Sequence, residues 1–138
     1  MPAPHILVVD DHADTLMLYA TALSLDGFVV RTASDAHNAL NLLGREFDGV
    51  VTDLAMPGMS GAEFIRQVRS RGTPAIPIIV VTGQGDAQAD TQLFAIGSCG
   101  VLRKPCDLTT LSQLLRYLTD TCMGACERCE VRSQRVGC

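Results

Sequence analysis

Five short apolar runs, each followed by a stretch with helical spacing, constrain this chain more than any other feature. The runs are His5 to Asp10, Phe28 to Thr32, Phe47 to Asp53, Ile78 to Thr82 and Gly100 to Lys104. The β-branched residues before Asp53 suit a strand buried on both faces. Between them, apolar residues recur at helical spacing. The sets are Leu16, Tyr19, Ala20 and Leu23, then Ala36, Ala39, Leu40 and Leu43, then Phe64, Ile65 and Val68. Arg66, Gln67 and Arg69 read as the opposite, solvated side of the third helix. A thinner stripe, Ala89, Leu93 and Ile96, marks a fourth helix from about Asp86. Leu108, Leu111, Leu115 and Leu118 mark a fifth. Punctuation agrees with this division. Asp26-Gly27 and Gly97 stop helices, Gly44 ends the second pattern, and Ser34 or Asp35 and then Asp107 can start them. Gly72, Pro74 and Pro77 interrupt the chain before the fourth run. Five strand–helix repeats predict an α/β sandwich with a parallel sheet and right-handed crossovers. The length, 138 residues, fits one domain with little to spare.

Four of the five apolar runs end in a residue that can do chemistry. Asp10 and Asp11 close the first, Asp53 the third, Thr82 the fourth and Lys104 the fifth. A parallel sheet gathers those ends along one edge. Asp53 alone could be a metal ligand, a nucleophile or a helix cap. Three converging carboxylates repel one another, so one stays protonated unless a cation neutralises them. Oxygen-only ligands favour a hard ion, and Mg²⁺ suits carboxylates plus water. Three carboxylates, one divalent ion and one lysine ammonium sum to zero charge. Such a site attracts a phosphoryl group, and an unprotonated Asp53 can attack phosphorus to give an acyl phosphate.

Here the residues meet a known family. Val8-Val9-Asp10-Asp11, the stretch Asp53-Leu54-Ala55-Met56-Pro57-Gly58-Met59-Ser60-Gly61, Val81-Thr82-Gly83 and Lys104-Pro105 stand in order, each at its own strand end. Over about residues 4–120 the sequence resembles the receiver domain of bacterial two-component response regulators, of the chemotaxis-regulator type. The resemblance implies a flavodoxin-like (βα)5 sandwich with strand order 2-1-3-4-5. It implies that Asp53 accepts a phosphoryl group from the phosphohistidine of a sensor histidine kinase or phosphotransfer protein. Asp11, Asp53 and the Ala55 carbonyl would hold Mg²⁺, with Asp10 acting through water. Thr82 would bond the phosphoryl group and move inward, Lys104 would pair with it, and the bond before Pro105 would be cis. The family often has an aromatic switch residue three positions before the lysine, and here that position is Val101. A rotamer readout through an aromatic ring is therefore excluded. The output would be a protein partner, with a homodimer through the face of the fourth helix, fifth strand and fifth helix as one arrangement.

Blander roles are open to several residues. Asp11 or Asp14 could cap the first helix, and Met56 and Met59 suit packing. His5, His12 and His37 lack metal-ligand spacing and receive no role, though His12 lies near the acid pair. Cys99 suits packing near the fifth strand, and Cys106 a half-exposed position near the site rim. Residues 1–121 read as the receiver and 122–138 as a Cys-rich, flexible tail. Cys122, Cys126, Cys129 and Cys138 could bind a metal or respond to redox state, since their spacing includes C-x3-C-x2-C. That spacing also occurs in radical enzymes, whose barrel this pattern lacks. With no output domain after residue 121, a stand-alone receiver or a fragment of a longer regulator or hybrid kinase is expected.

Other functions fit less well. An aspartyl-phosphate phosphohydrolase needs a second acid two residues after its nucleophile, where this chain has Ala55. An FMN-binding flavodoxin needs a phosphate cradle where this chain has Asp10 and Asp11. A phosphate-independent scaffold with a Cys tail is the remaining alternative. A net charge of −4 without a basic block gives no sign of nucleic-acid binding. No signal segment or membrane span is evident, so a cytoplasmic signalling switch rather than a metabolic enzyme is the expectation.

Overall fold

A computed structural model of the chain describes residues 3–44, 46–71, 76–83 and 87–121. Its strands are β1 (His5–Val9), β2 (Val29–Ala33), β3 (Gly49–Asp53), β4 (Ile78–Thr82) and β5 (Gly100–Arg103). Its helices are α1 (Ala13–Leu25), α2 (Ala36–Leu42), α3 (Gly61–Arg69), α4 (Ala87–Ile96) and α5 (Leu108–Thr121). The strands form one sheet in the order β2-β1-β3-β4-β5, and every pairing is parallel. This is the flavodoxin-like arrangement expected from the sequence.

Strand residues alternate between the two faces, and the core divides accordingly. On one face Ile6, Val8, Val51, Ile79 and Val81 meet α1 and α5 through Leu16, Tyr19, Leu23, Leu111, Leu115 and Leu118. On the other face Leu7, Val9, Val50 and Val80 meet Ala39, Leu40, Phe64, Ile65, Val68 and Leu93 of α2, α3 and α4. Burial on both faces is why β3 and β4 are buried from end to end and read as unbroken apolar runs. β2 lies at an edge, and most of its residues are exposed. Helix starts follow local chemistry. Asp35 accepts a hydrogen bond from Asn38 N at 2.7 Å, and Asp107 accepts one from Thr109 N at 2.8 Å. Neither Asp11 nor Asp14 holds the cap position of α1, which falls to His12.

Arg69 corrects one expectation. Helical spacing placed it on the solvated side of α3, but its guanidinium turns inward. Nη1 donates to Ile76 O at 2.6 Å and Nε to Gly97 O at 3.1 Å, while Nη2 lies 3.7 Å from Cys99 Sγ. A long side chain at a helix end can reach loop carbonyls that its angular position does not reveal. Cys99 is fully buried and Cys106 half-buried, as expected. Cys122, Cys126, Cys129 and Cys138 lie outside the described residues, as do Gly72, Pro74 and Asp86.

The turn from β3 into α3 sets the site's shape. Gly58 adopts φ +83°, a conformation L side chains rarely take. Gly61 opens α3 against the preceding backbone, its N–H bonded to Leu54 O at 2.8 Å. A Cβ at Gly61 would stand 2.4 Å from Asp53 O and 2.7 Å from Leu54 Cα. Neither obstacle is a flexible side chain. Gly61→Ala is therefore expected to cost about 1–3 kcal/mol, read as a lower urea midpoint. An unchanged midpoint would mean that the turn yields easily.

Candidate functional site

The residues that close the strands converge at the sheet's C-terminal edge. Asp10 follows β1, Asp53 ends β3, Thr82 ends β4 and Lys104 follows β5. In register Asp53 pairs with Val81, which puts Thr82 one residue beyond it on the neighbouring strand. Asp10, Asp53 and Thr82 are 2%, 7% and 2% exposed. Such burial requires partners for the two carboxylates. Lys104 Nζ supplies them, 3.2 Å from Asp10 Oδ2 and 3.2 Å from Asp53 Oδ2. The remaining oxygens are held by backbone. Asp53 Oδ1 accepts from Leu54 N at 2.7 Å, and Asp10 Oδ1 from His12 N at 2.9 Å. The Lys104 N–H donates to Thr82 O at 2.8 Å, and the Lys104–Pro105 bond is cis as expected.

Burial alone would lower the Lys104 pKa. The charges of Asp10 and Asp53, and hydrogen bonds with both, outweigh it and hold the ammonium above its ordinary value. Lys104 therefore stays cationic throughout the neutral range.

Asp11 is the outermost acid. Its Oδ1 is shielded yet accepts no hydrogen bond among the described residues. His12 Nδ1 lies 3.2 Å from that oxygen, without hydrogen-bond alignment. Asp10, Asp11, His12 and Asp53 each offer one ligand atom, and those atoms lie within 4.8 Å of one another. A shielded oxygen without a donor, beside two buried carboxylates, fits a hard divalent cation.

Beneath the cluster lies Tyr19 of α1, 6% exposed. Burial, then the charges of Cys106, Asp10 and Asp53, push its phenol up to about 12. A folded value above the unfolded one gives stability that is complete below the ordinary tyrosine value and lost as pH rises toward 12. The difference in ultraviolet titration between the native chain and Tyr19→Phe is expected to show a transition near 12. A transition near the ordinary value of about 10 in folded protein would sink this account.

Residues 6–116 match the family profile described as "Response regulator receiver domain". This chain belongs to that family. The receiver is 34% identical over 115 residues to the C4-dicarboxylate transport transcriptional regulatory protein DctD of Rhizobium meliloti, covering 83% of this chain and 25% of that one. It is 35% identical over 111 residues to the sensor histidine kinase RcsC of Salmonella typhimurium, covering 80% of this chain and 12% of that one. The chain thus spans a quarter or less of these two relatives. A response regulator receiver domain protein from Clostridium thermocellum superposes with a TM-score of 0.80 at 31% identity, covering 85% of this chain and 94% of the other.

The receiver brings together every strand-end residue singled out from the sequence. Ala55, exposed in the loop after β3, donates its N–H to Asp53 Oδ1 at 3.4 Å. Val101 is half-buried on β5 and packs against the α2–α4 side of the core. Among the described residues no helix is long and apolar enough to cross a membrane. His12, which the sequence places near the acid pair, stands beside both of its carboxylates. Tyr19 is a neighbour the sequence does not reveal, because a core position on a helix does not disclose which charges lie near it.

Proposed function

We propose that Asp53 is the phosphoacceptor of a two-component relay and that Asp10, Asp11, Asp53 and the Ala55 carbonyl hold Mg²⁺. The observation that carries this reading is Lys104 Nζ bridging Asp10 and Asp53 at 3.2 Å each, beside a shielded Asp11 oxygen that accepts no hydrogen bond among the described residues. One Asp53 oxygen attacks phosphorus of a donor phosphohistidine, the P–N bond breaks, and the electron pair leaves with the imidazole. Bound Mg²⁺ would supply positive charge to the phosphoryl oxygens. Lys104 keeps its ammonium within reach of the same group, exchanging a carboxylate for a phosphoryl oxygen. Thr82, one residue beyond the partner of Asp53, offers its hydroxyl to another oxygen and draws the end of β4 inward.

The donor is a sensor histidine kinase or a phosphotransfer protein. Met17 and Leu18, 70% and 55% exposed on α1, support a docking surface for it. Since such donors are charged from ATP, the relay is cytoplasmic. The output is a changed surface for a downstream protein, or for a second copy through α4, β5 and α5, where Tyr117 is 41% exposed. Thr82 carries the switch without an aromatic partner, because Val101 replaces it. Residues 1–121 form the receiver, and 122–138 a Cys-rich tail.

The test is intact mass after incubation with acetyl phosphate. One added phosphoryl group is expected with Mg²⁺ and none in EDTA. Failure to form an adduct, together with failure to bind beryllofluoride, would overturn the reading.

A further inference from the structure

We propose that His12 makes the cation site a mixed oxygen–nitrogen one, selecting a divalent first-row transition ion such as Mn²⁺ over Mg²⁺. This rests on the receiver reading and deepens it by naming the class of ion. His12 Nδ1 lies 3.2 Å from Asp10 Oδ1 and 3.2 Å from Asp11 Oδ1. Neighbouring ligands on an octahedral ion with bonds of about 2.1 Å stand about 3 Å apart. The imidazole therefore has the spacing of an adjacent ligand to both carboxylates at once. Asp53 completes the group, all four ligand atoms falling within 4.8 Å.

The ring is available for this task. His12 is the cap residue of α1, but its side chain makes no capping hydrogen bond. It is 68% exposed, so no packing opposes a small rotation toward the acids. Its Nδ1 is a hydrogen-bond partner of Asp10 Oδ1 at 3.2 Å in the absence of an ion. With the ring proton on Nε2, the same nitrogen presents a lone pair. Lys104 occupies Oδ2 of Asp10, whereas the imidazole faces Oδ1, so the two do not compete for one oxygen. Mg²⁺ prefers oxygen ligands and retains its waters, whereas an imidazole nitrogen raises affinity along the first-row series.

The experiment uses the full chain loaded with Mn²⁺ and pulsed electron paramagnetic resonance. Protein carrying ¹⁵N-labelled histidine is expected to show a directly coupled ¹⁵N nucleus, lost in His12→Gln. Calorimetric titration is expected to show Mn²⁺ affinity falling about tenfold in that variant, with Mg²⁺ affinity changing less. Bound Mn²⁺ without histidine coupling would overturn this inference and leave the receiver reading intact. Failure of both ions to bind the native chain would overturn both.

Discussion

Asp53→Asn is expected to abolish the Mg²⁺-dependent phosphoryl adduct that the native chain forms with acetyl phosphate. The amide keeps the shape of the carboxylate and can still accept the hydrogen bond that Leu54 N gives Oδ1 at 2.7 Å. What it loses is charge. A neutral amide is a poor nucleophile, and its NH₂ would face the Lys104 ammonium that now lies 3.2 Å from Oδ2. The cluster also gives up one of three carboxylates, so Mg²⁺ affinity should fall as well. Intact mass gives the result directly, and far-ultraviolet circular dichroism checks that the variant is folded. The same adduct on folded Asp53→Asn would place the chemistry on another residue and sink the assignment.

Lys104→Met should have the largest effect on stability, and in a way that depends on metal. The variant leaves Asp10 and Asp53, 2% and 7% exposed, without the cation that now bridges them. Removing one partner of a buried ion pair costs about 3–5 kcal/mol. Saturating Mg²⁺ should restore much of that loss, because the ion supplies the missing positive charge to the same carboxylates. Urea unfolding with and without Mg²⁺ would measure both. A variant equally stable in the two conditions would show that the acids hold no cation or simply take up protons. The sign with pH follows from the raised Lys104 value. Its contribution is complete below the ordinary lysine value of about 10.4 and fades only as pH climbs through the raised one. Across the neutral range, the native chain should therefore show no loss from this residue.

Much of this architecture can be read in one dimension because parallel strands and helices impose different periods. The unbroken apolar runs of β3 and β4 reflect burial on both faces, which no surface strand would show. Strand ends are legible for a related reason, since a carboxylate or lysine after such a run has nowhere to go but the sheet's edge. Limits arise where a side chain acts beyond its own element. Arg69 lies at an angular position that suggests solvent, yet its length carries it to carbonyls of two other segments. Helical spacing places Tyr19 in the core, and burial raises its pKa, but the charges of Cys106, Asp10 and Asp53 that add to the rise belong to other segments. His12 shows no ligand spacing to the other histidines because its partners are its immediate neighbours. Only the turn after β1 brings its ring beside both.

The inward turn of Arg69 also bears on how a signal could leave the site. Its guanidinium fastens α3 to the carbonyl of Gly97, just past the end of α4, and to that of Ile76, just before β4 begins. The far end of α4 is thereby tied to α3 and to the start of β4. An inward shift of Thr82, as proposed above, would then turn α4 about Gly97 rather than slide it, without an aromatic ring to carry the motion.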